Sequence, residues 1–425
     1  MGRVNASCLL KRFLTLPRHF LPFPAAFLVM LEFSGTAMTL GIYIQAPFCQ
    51  TKCTYCNFHT GVVTAARFAP YVEAVSREIA NHRGLYKGAA ICLSEAVVRA
   101  AVDTVYIGGG TPSLFDPSLL AQLLRSVRDA FCCEWREVTL EADPETVDVR
   151  KAEGWADAGI NRISFGVQSF SDVELKAAGR MHRREHIYLA ASTLRKAGLA
   201  NISFDLIAGL PHQTGASWRQ SLEELVALTP QHVSIYMLEV DEGSRLGREV
   251  LRGGERYSAR ELPSDDDIAA FYDEARESLA KAGYEHYEIS NWAKPGFSSS
   301  HNLKYWRREP YLGFGAGAHS FSGSERWANA HDPAAYVEAL QHGRLSIEQL
   351  ERVSGKQALD EELFLGLRQL SGIDVHRIEH TYGVSLAPQI EKLAAAGLLE
   401  RSGEMLRLVP EKLSISNEVF VELLR

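Results

Sequence analysis

Residues 41–56 of this chain read GIYIQAPFCQTKCTYC, an apolar segment followed at once by three closely spaced cysteines. The segment GIYIQA (41–46) predicts a β-strand that leads into a loop carrying Cys49, Cys53 and Cys56. Thiolates are soft ligands that suit zinc or iron–sulfur. Most cubane clusters take four cysteines, so a cluster held by three would leave one iron open to a small chelating ligand. The loop therefore favours a [4Fe–4S] cluster on these three thiolates.

Two other interpretations of the cysteine loop stay open on the residues alone. A structural zinc site would combine the three thiolates with His59 as its fourth ligand. The cysteines could instead be buried and inert, with no metal.

Outward from this loop, strand-like and helix-like segments alternate along the chain. Five more strands are predicted at 102–107, 137–142, 161–167, 201–207 and 232–238, and helices are predicted at 64–82, after Asp116-Pro117, and at 145–158, 183–197 and 216–228. Six strands with intervening helices predict a parallel α/β barrel or part of one. In such barrels the chemistry lies at the carboxyl ends of the strands, and the candidate site residues fall there.

A glycine-rich turn, Ile107-Gly-Gly-Gly-Thr-Pro112, follows the second predicted strand. Glycines lack Cβ and let the backbone come close to a bound ligand. Such a turn alone could be a tight turn and nothing more. Here the turn comes directly after the strand that follows a three-cysteine loop. In that position it supports a cofactor site.

Composition limits the class of protein. The chain has 425 residues, 46% of them hydrophobic, which is enough to bury a large core. The formal net charge of −7 gives no electrostatic reason to expect nucleic acid as a partner. Seven cysteines, an odd number in a long chain, do not form a pattern typical of a disulfide framework. They indicate a reducing compartment, and we expect the protein to be cytoplasmic.

Four regions are predicted along the chain. Residues 1–38 form an N-terminal extension, which is basic, interrupted by prolines and predicted to be disordered or untranslated, with Met38 as the true start. A signal or transit peptide is the alternative. Residues 39–283 form the core barrel, 284–355 a Gly-, Ser- and aromatic-rich segment that completes it, and 356–425 a small, mainly helical domain.

A set of motifs occurs in one order along residues 40–420: Tyr43-x-Gln-x-Pro-Phe-Cys49, GGGTP, Glu141-Ala-Asp-Pro, Gly166-Val-Gln-Ser-Phe, Gly179-Arg-x-His182 and Asp205-Leu-Ile-x-Gly-Leu-Pro211. Together they resemble the radical S-adenosylmethionine (SAM) family of oxygen-independent coproporphyrinogen III dehydrogenases and the related heme chaperones called HemW. The resemblance implies a partial (βα)6-type barrel with a small helical C-terminal domain. It also implies a [4Fe–4S] cluster and SAM as cofactors.

The same resemblance implies roles for residues at the strand ends. Residues expected to contact SAM or to lie around it are Tyr43, Gly109, Gly110, Thr111, Glu141, Gln168, Arg180 and Asp205. Glu141 would hold the ribose or the amino end of SAM. Simpler roles stay open, because Glu141 and Asp205 could cap the next helices and Arg180 could be a surface cation.

Two features resemble the chaperone branch of this family. Phe58 stands where the dehydrogenase branch has a further cysteine, and His301-Asn302-x-x-Tyr305 resembles a motif linked to heme binding. Histidine is a natural axial ligand of heme iron. His319 is a second candidate ligand, and a purely structural role for His301 stays open.

Two departures from the family pattern stand near the cysteine loop and the glycine turn. Gln45 replaces the usual histidine and cannot titrate near neutral pH, so a proton transfer at that position is in doubt. Asp143 replaces the usual asparagine.

The function implied is a heme chaperone that carries the cluster and SAM, binds heme and transfers it to acceptor proteins. The alternative is an oxygen-independent coproporphyrinogen III dehydrogenase of porphyrin biosynthesis. The expected partners are heme, heme-accepting proteins and an electron donor, without nucleic acid. Contact with a membrane is expected only through the acceptor.

Overall fold

A computed structural model describes residues 38–424. The predicted disorder of the N-terminal extension therefore lies outside the described residues, except at Met38.

The strands of the described residues are β1 (Thr39–Ala46), β2 (Phe48–Cys49), β3 (Gly61–Val62), β4 (Ala101–Gly109), β5 (Cys133–Ala142), β6 (Arg162–Gln168), β7 (Ile202–Ala208), β8 (His232–Met237), β9 (Glu285–Glu288), β10 (Asn291–Ala293), β11 (Tyr311–Phe314), β12 (His319–Phe321), β13 (Glu325–Asn329), β14 (Ile347–Arg352), β15 (Ile373–Asp374), β16 (Leu399–Ser402) and β17 (Met405–Leu408). The α-helices span Phe68–Gly88, Glu95–Arg99, Pro117–Ala130, Val149–Ala158, Asp172–Ala177, Arg184–Lys196, Gly215–Leu228, Arg245–Leu251, Asp265–Lys281, Ser300–Trp306, Pro333–Gln341, Gly355–Leu367, Val375–Tyr382, Ala387–Ala395 and Ser416–Leu423. Short 3₁₀ helices lie at Ala65–Arg67, Pro112–Leu114, Pro144–Thr146, Arg256–Glu261 and Pro410–Ile415.

Six parallel strands form the centre of the main sheet, in the order β1-β4-β5-β6-β7-β8. At least one helix lies between each of these strands and the next along the chain. Because a parallel pair needs a crossover, this alternation is the unit that builds α/β barrels. The predicted partial (βα)6-type fold is confirmed.

Strands that follow β8 along the chain extend the sheet at both edges. β10 pairs antiparallel with β8 and with β9 at one edge. At the other edge β11 pairs parallel with β1 and is followed by the antiparallel strands β12, β13 and β14. The sheet thus has twelve strands within the described residues. The boundaries of the four predicted regions stay a prediction.

Two local predictions need correction. The segment 284–327, which shows few helical signals, contains the helix Ser300–Trp306. Residues after 356 hold the expected helices, and the short strand predicted at MLRLVP (405–410) forms as β17, but it pairs on both sides with strands that were not predicted, in the order β15-β17-β16. Both differences come from pairing or packing with distant residues, which a local pattern does not report.

The sheet and its helices enclose an apolar core, and the strand residues that face it are almost fully buried, as Ile42, Ile107 and Phe165 show. The helix Pro117–Ala130 begins as predicted, since the Asp116 carboxylate accepts a hydrogen bond from the Ser118 backbone N–H at 3.0 Å. Across residues 38–424 no helix is long and apolar enough to cross a membrane.

A protein that begins at Met38 tests the prediction about the extension. Because β1 starts at Thr39 and is hydrogen-bonded on both sides, we expect the shortened chain to fold and to take up its cluster like the full chain. The measurements are soluble yield and iron content after anaerobic reconstitution. Insolubility of the shortened chain beside a soluble full-length chain would contradict the prediction.

Candidate functional site

The cysteine loop lies at the carboxyl end of β1. Cys49 ends β2, which pairs in parallel with β3 from the far side of the loop. The three thiols are half-buried and form no disulfide with any cysteine of residues 38–424. Burial raises the pKa of Cys49 and of Cys56. The loop therefore presents three free thiols on one short stretch of backbone.

Contacts with distant elements fix this loop. The Thr54 backbone N–H donates to the Ala178 carbonyl at 3.0 Å, and the Leu246 N–H donates to the Thr54 carbonyl at 2.8 Å. The Arg245 guanidinium also donates to the Lys52 carbonyl. The loop conformation is thus specified by the barrel around it and not by the loop sequence alone.

The glycine turn packs directly under the cysteine loop. The Gly110 N–H donates to the Ala46 carbonyl at 2.8 Å, and the Thr111 N–H donates to the Phe48 carbonyl at 2.7 Å. A Cβ on Gly110 would lie 2.4 Å from the Phe48 carbonyl oxygen, and Gly109 has a φ of +112°. A side chain at position 110 would displace backbone, and one at position 109 would force a strained backbone conformation, so both positions favour glycine.

Glu141 lies beside the turn, near the end of β5. Its carboxylate accepts hydrogen bonds from the Gly109 N–H at 2.8 Å and from the Tyr106 hydroxyl at 2.9 Å. Burial raises the pKa of Glu141 to about 7. The following α-helix is capped by Asp148, so Glu141 does not have the capping role that the sequence left open.

Arg180 connects the cysteine loop to the ends of β5 and β6. Its guanidinium forms an ion pair with Asp143, donates to the Gly166 carbonyl at 2.7 Å and lies 3.5 Å from the Cys53 sulfur. The side chain is 8% exposed, and its buried Nε has no hydrogen-bond partner among the residues that the structure describes. Arg180 is therefore an interior cation beside a cluster cysteine, and the surface alternative does not hold.

Two further residues of the predicted SAM set, Asp205 and Gln168, lie on neighbouring strands. Asp205 on β7 accepts hydrogen bonds from the Ser164 hydroxyl at 3.2 Å and the Ser203 hydroxyl at 3.4 Å. Gln168 ends β6 with a φ of +65°, an unusual conformation for a residue other than glycine. Thr214 caps the helix after β7, so Asp205 is not its cap either.

Tyr43 and Gln45 project from the last part of β1. The Tyr43 hydroxyl donates to the Gln45 side-chain oxygen at 2.7 Å, and the Tyr43 ring stacks on Tyr106 with centroids 6.0 Å apart. An ideal Cβ on Gly109 would lie 2.4 Å from the Gln45 amide nitrogen. Gln45 thus packs against the glycine turn. The sequence did not single out Tyr106, whose hydroxyl contacts Glu141.

The His301 ring lies next to the rings of Tyr106 and Tyr43, at centroid distances of 5.3 and 6.5 Å. One ring nitrogen is 2.9 Å from the Thr104 hydroxyl and the other is 2.9 Å from the Tyr305 hydroxyl. The ring is fully buried, and burial lowers its pKa to about 3. Thr104 pairs with Gly41, five residues before the end of β1, so the His301 ring contacts the first half of β4.

The other heme candidates lie on two different elements, the helix that carries His301 and the strand β12. Asn302 donates its backbone N–H to the Ser299 hydroxyl at 3.3 Å, near the start of the helix that carries His301. His319 is the first residue of β12, and burial followed by the neighbouring His331 lowers its pKa to about 4. The structure therefore joins His301 with Tyr305 by a hydrogen bond and places His319 on a different element, β12.

The cysteine loop and its surroundings fit the two cofactors. Three free thiols, a glycine cradle that tolerates no Cβ, and an interior arginine with an unpaired Nε converge at the carboxyl ends of β1, β4, β5 and β6. In the described part of the chain no three His, Cys, Asp or Glu side chains are grouped around a position for a single metal ion.

Comparison with known proteins places the chain in a family. Residues 43–225 match the Radical SAM superfamily, and residues 353–411 match the HemN C-terminal domain. The heme chaperone HemW of Lactococcus lactis is 33% identical over 387 residues, which cover 90% of this chain and 96% of that protein. The chain belongs to the HemW family. Its superfamily implies a [4Fe–4S] cluster and SAM.

Two further relatives and a solved structure also match most of the chain. The heme chaperone HemW of Synechocystis is 36% identical and covers 79% of each chain. The mitochondrial radical S-adenosyl methionine domain-containing protein 1 of Danio rerio is 31% identical over 79% of this chain and 74% of its own. Coproporphyrinogen III oxidase (HemN) from Escherichia coli shares the fold, with a TM-score of 0.76, 20% identity and coverage of 91% and 90%.

Proposed function

We propose that this protein is a heme chaperone that carries a [4Fe–4S] cluster and SAM, binds heme and transfers it to acceptor proteins. The observation that carries the proposal is the similarity to curated heme chaperones over nearly their whole length, 96% for the protein of Lactococcus lactis. Heme, acceptor proteins and an electron donor are the proposed partners, without nucleic acid, and the cytoplasm is the proposed compartment.

The proposed cofactor site uses the residues at the strand ends. Cys49, Cys53 and Cys56 would hold the cluster, which when bound supplies an electron to the sulfonium of SAM. The residues proposed around SAM are Tyr43, Gly109, Gly110, Thr111, Glu141, Gln168, Arg180 and Asp205. Glu141 supports this assignment because its buried carboxylate would gain from a ligand amine or hydroxyl.

Phe58 supports the chaperone over the dehydrogenase. Its ring is 65% exposed at the position where the dehydrogenase branch has a further cysteine. An apolar ring cannot supply a thiol for redox chemistry or for metal ligation. Heme contact by His301, Asn302 and Tyr305 stays a prediction.

Two assays on anaerobically reconstituted protein test the proposal. We expect saturable binding of hemin with a shifted heme absorbance band, and no measurable conversion of coproporphyrinogen III under reducing conditions with SAM. The first measurement is a spectrophotometric titration, and the second is chromatographic detection of porphyrinogen products. Robust formation of protoporphyrinogen would instead establish the dehydrogenase activity. A failure to bind hemin would rule out the chaperone function.

A further inference from the structure

A groove of about 920 Å³ lies against the cysteine loop, and its lining includes Thr54 and Arg180. We call it the Thr54 groove. Thr54 follows Cys53 in the chain, and its hydroxyl donates to the carbonyl of Ala177, which also lines the groove, at 3.2 Å. The Arg180 guanidinium lies 3.5 Å from the Cys53 sulfur. A molecule in the groove would therefore be separated from this cluster cysteine by little more than one side chain.

A second part of the groove lining is attached to the cysteine loop through Arg245. The guanidinium carbon lies 5.3 Å from the centre of the Tyr257 ring, which lines the groove, and the guanidinium donates to the Lys52 carbonyl. Tyr257, Ser258 and His212 line the groove with φ values of +59°, +56° and +67°. Residues other than glycine keep such values only where the surrounding contacts hold them. The groove is thus a built part of the surface around the loop.

The lining of the Thr54 groove is basic. Among the described residues it includes three cations, Lys176, Arg180 and Arg183, and one carboxylate, Asp172. Lys176 and Arg183 are exposed and form no ion pair with any residue of 38–424, whereas Asp172 already accepts a hydrogen bond from the Arg184 backbone N–H at 2.8 Å. The whole chain has a net charge of −7, so this excess of positive charge is a local feature.

Two exposed apolar side chains lie among these charges. Val173 and Met181 line the groove and are 61% and 49% exposed. Exposed apolar side chains beside unpaired cations are typical of a surface that binds a protein of negative charge. Of the described residues that line the groove, Arg180 is the only one proposed around SAM, so a partner bound here would leave the other SAM positions open.

We infer that the Thr54 groove is the docking site of the electron donor, and that this donor is a small redox protein with an acidic surface around its cofactor. The donor loses one electron, and the cluster gains it and goes from the 2+ to the 1+ state, with no bond formed or broken. Electron transfer slows steeply with distance, which favours a docking site beside Cys53. Lys176 and Arg183 would steer the acidic partner into the groove. This inference rests on the proposed function, which includes an electron donor.

The variant Lys176→Glu/Arg183→Glu of the full-length reconstituted protein tests the inference. The probe is fully reduced flavodoxin, an acidic flavoprotein, and stopped-flow absorbance follows the one-electron oxidation of its flavin at low ionic strength. We expect the second-order rate constant to fall at least about tenfold and the Kd for flavodoxin to rise, because attraction becomes repulsion. The difference should shrink at high salt, which screens exposed charges. Lys176→Ala/Arg183→Ala should lie between this variant and the wild type.

Lys87→Glu/Arg401→Glu is the matched control. Both side chains are exposed, lie outside the groove lining and form no ion pair within the described residues. This variant should bind and oxidise flavodoxin like the wild type. Iron content should be equal in all variants, and so should photoreduction of the cluster by an uncharged deazaflavin, since a small neutral reductant needs no docking site.

Equal rate constants for the wild type and Lys176→Glu/Arg183→Glu would overturn the inference, and so would a wild type that flavodoxin does not reduce. An equal loss in the control variant would also overturn it, because the effect would then come from overall charge. A hemin titration of the wild type tests the proposed function separately. Failure to bind hemin, together with the expected effect of the charge reversal on flavodoxin, would overturn the chaperone function and leave the docking site in place.

Discussion

Cys53→Ala is expected to remove most of the iron from the anaerobically reconstituted protein. Wild type should hold about four irons per chain, and the variant less than about one, because a cluster held by three thiolates cannot keep its place on two. Cys53 is the middle ligand of the loop and lies 3.5 Å from Arg180, so its loss also removes a contact that fixes the loop. Iron content and absorbance near about 400 nm, where thiolate-bound iron absorbs, are the measurements.

Cys132→Ala serves as the control for this variant. Cys132 is exposed, free and outside the loop, and its replacement should leave the iron content unchanged. Equal loss of iron in both variants would indicate general oxidation damage to the preparation. Stoichiometric zinc without the iron-dependent absorbance in wild type would contradict the iron–sulfur assignment and restore the zinc interpretation with His59.

The central strands could be predicted from the sequence because each is a short apolar run bounded by turn residues. The segment 102–107, for example, lies inside the observed strand Ala101–Gly109. Burial on both faces of a parallel sheet produces such runs. The glycine turn that follows was predictable for a related reason, since only glycine tolerates the approach of the Phe48 carbonyl to residue 110.

The helix Ser300–Trp306 could not be predicted in the same way. The Glu137 carboxylate on β5 accepts hydrogen bonds from the Ser300 N–H at 2.7 Å and from the His301 N–H at 3.1 Å. These bonds satisfy the start of the helix from a position more than 160 residues away. A local pattern contains no sign of them.

The same limit applies to the candidate site. That Arg180 would be buried beside Cys53, and that His59 and His331 would stack, follows only from the folding of distant segments against each other. The sequence named His301 as the first candidate heme ligand and His319 as the second. The hydrogen bonds that hold the His301 ring between Thr104 and Tyr305 appear only once the barrel is assembled.

His301→Ala is expected to destabilise the protein, whatever it does to heme. The ring is fully buried, contacts Tyr106 with centroids 5.3 Å apart, and bonds Thr104 and Tyr305. Its removal leaves a cavity and two buried hydroxyls without this partner, at a cost of about 2–4 kcal/mol in the free energy of unfolding. Thermal melting of reconstituted protein should therefore show a lowered Tm.

His301→Gln separates stability from ligation. The glutamine amide can replace hydrogen bonds to Thr104 and Tyr305, but it is not an imidazole and cannot replace a bond from histidine to heme iron. If His301 is structural, this variant should recover part of the lost Tm and bind hemin like the wild type. Loss of hemin binding in both His301 variants, with the Tm of the glutamine variant near that of the wild type, would assign the axial bond to His301. In that outcome, one His301 ring nitrogen would give up its hydrogen bond to Thr104 or Tyr305 and bind the heme iron instead. Free imidazole added to either variant should then restore the heme spectrum.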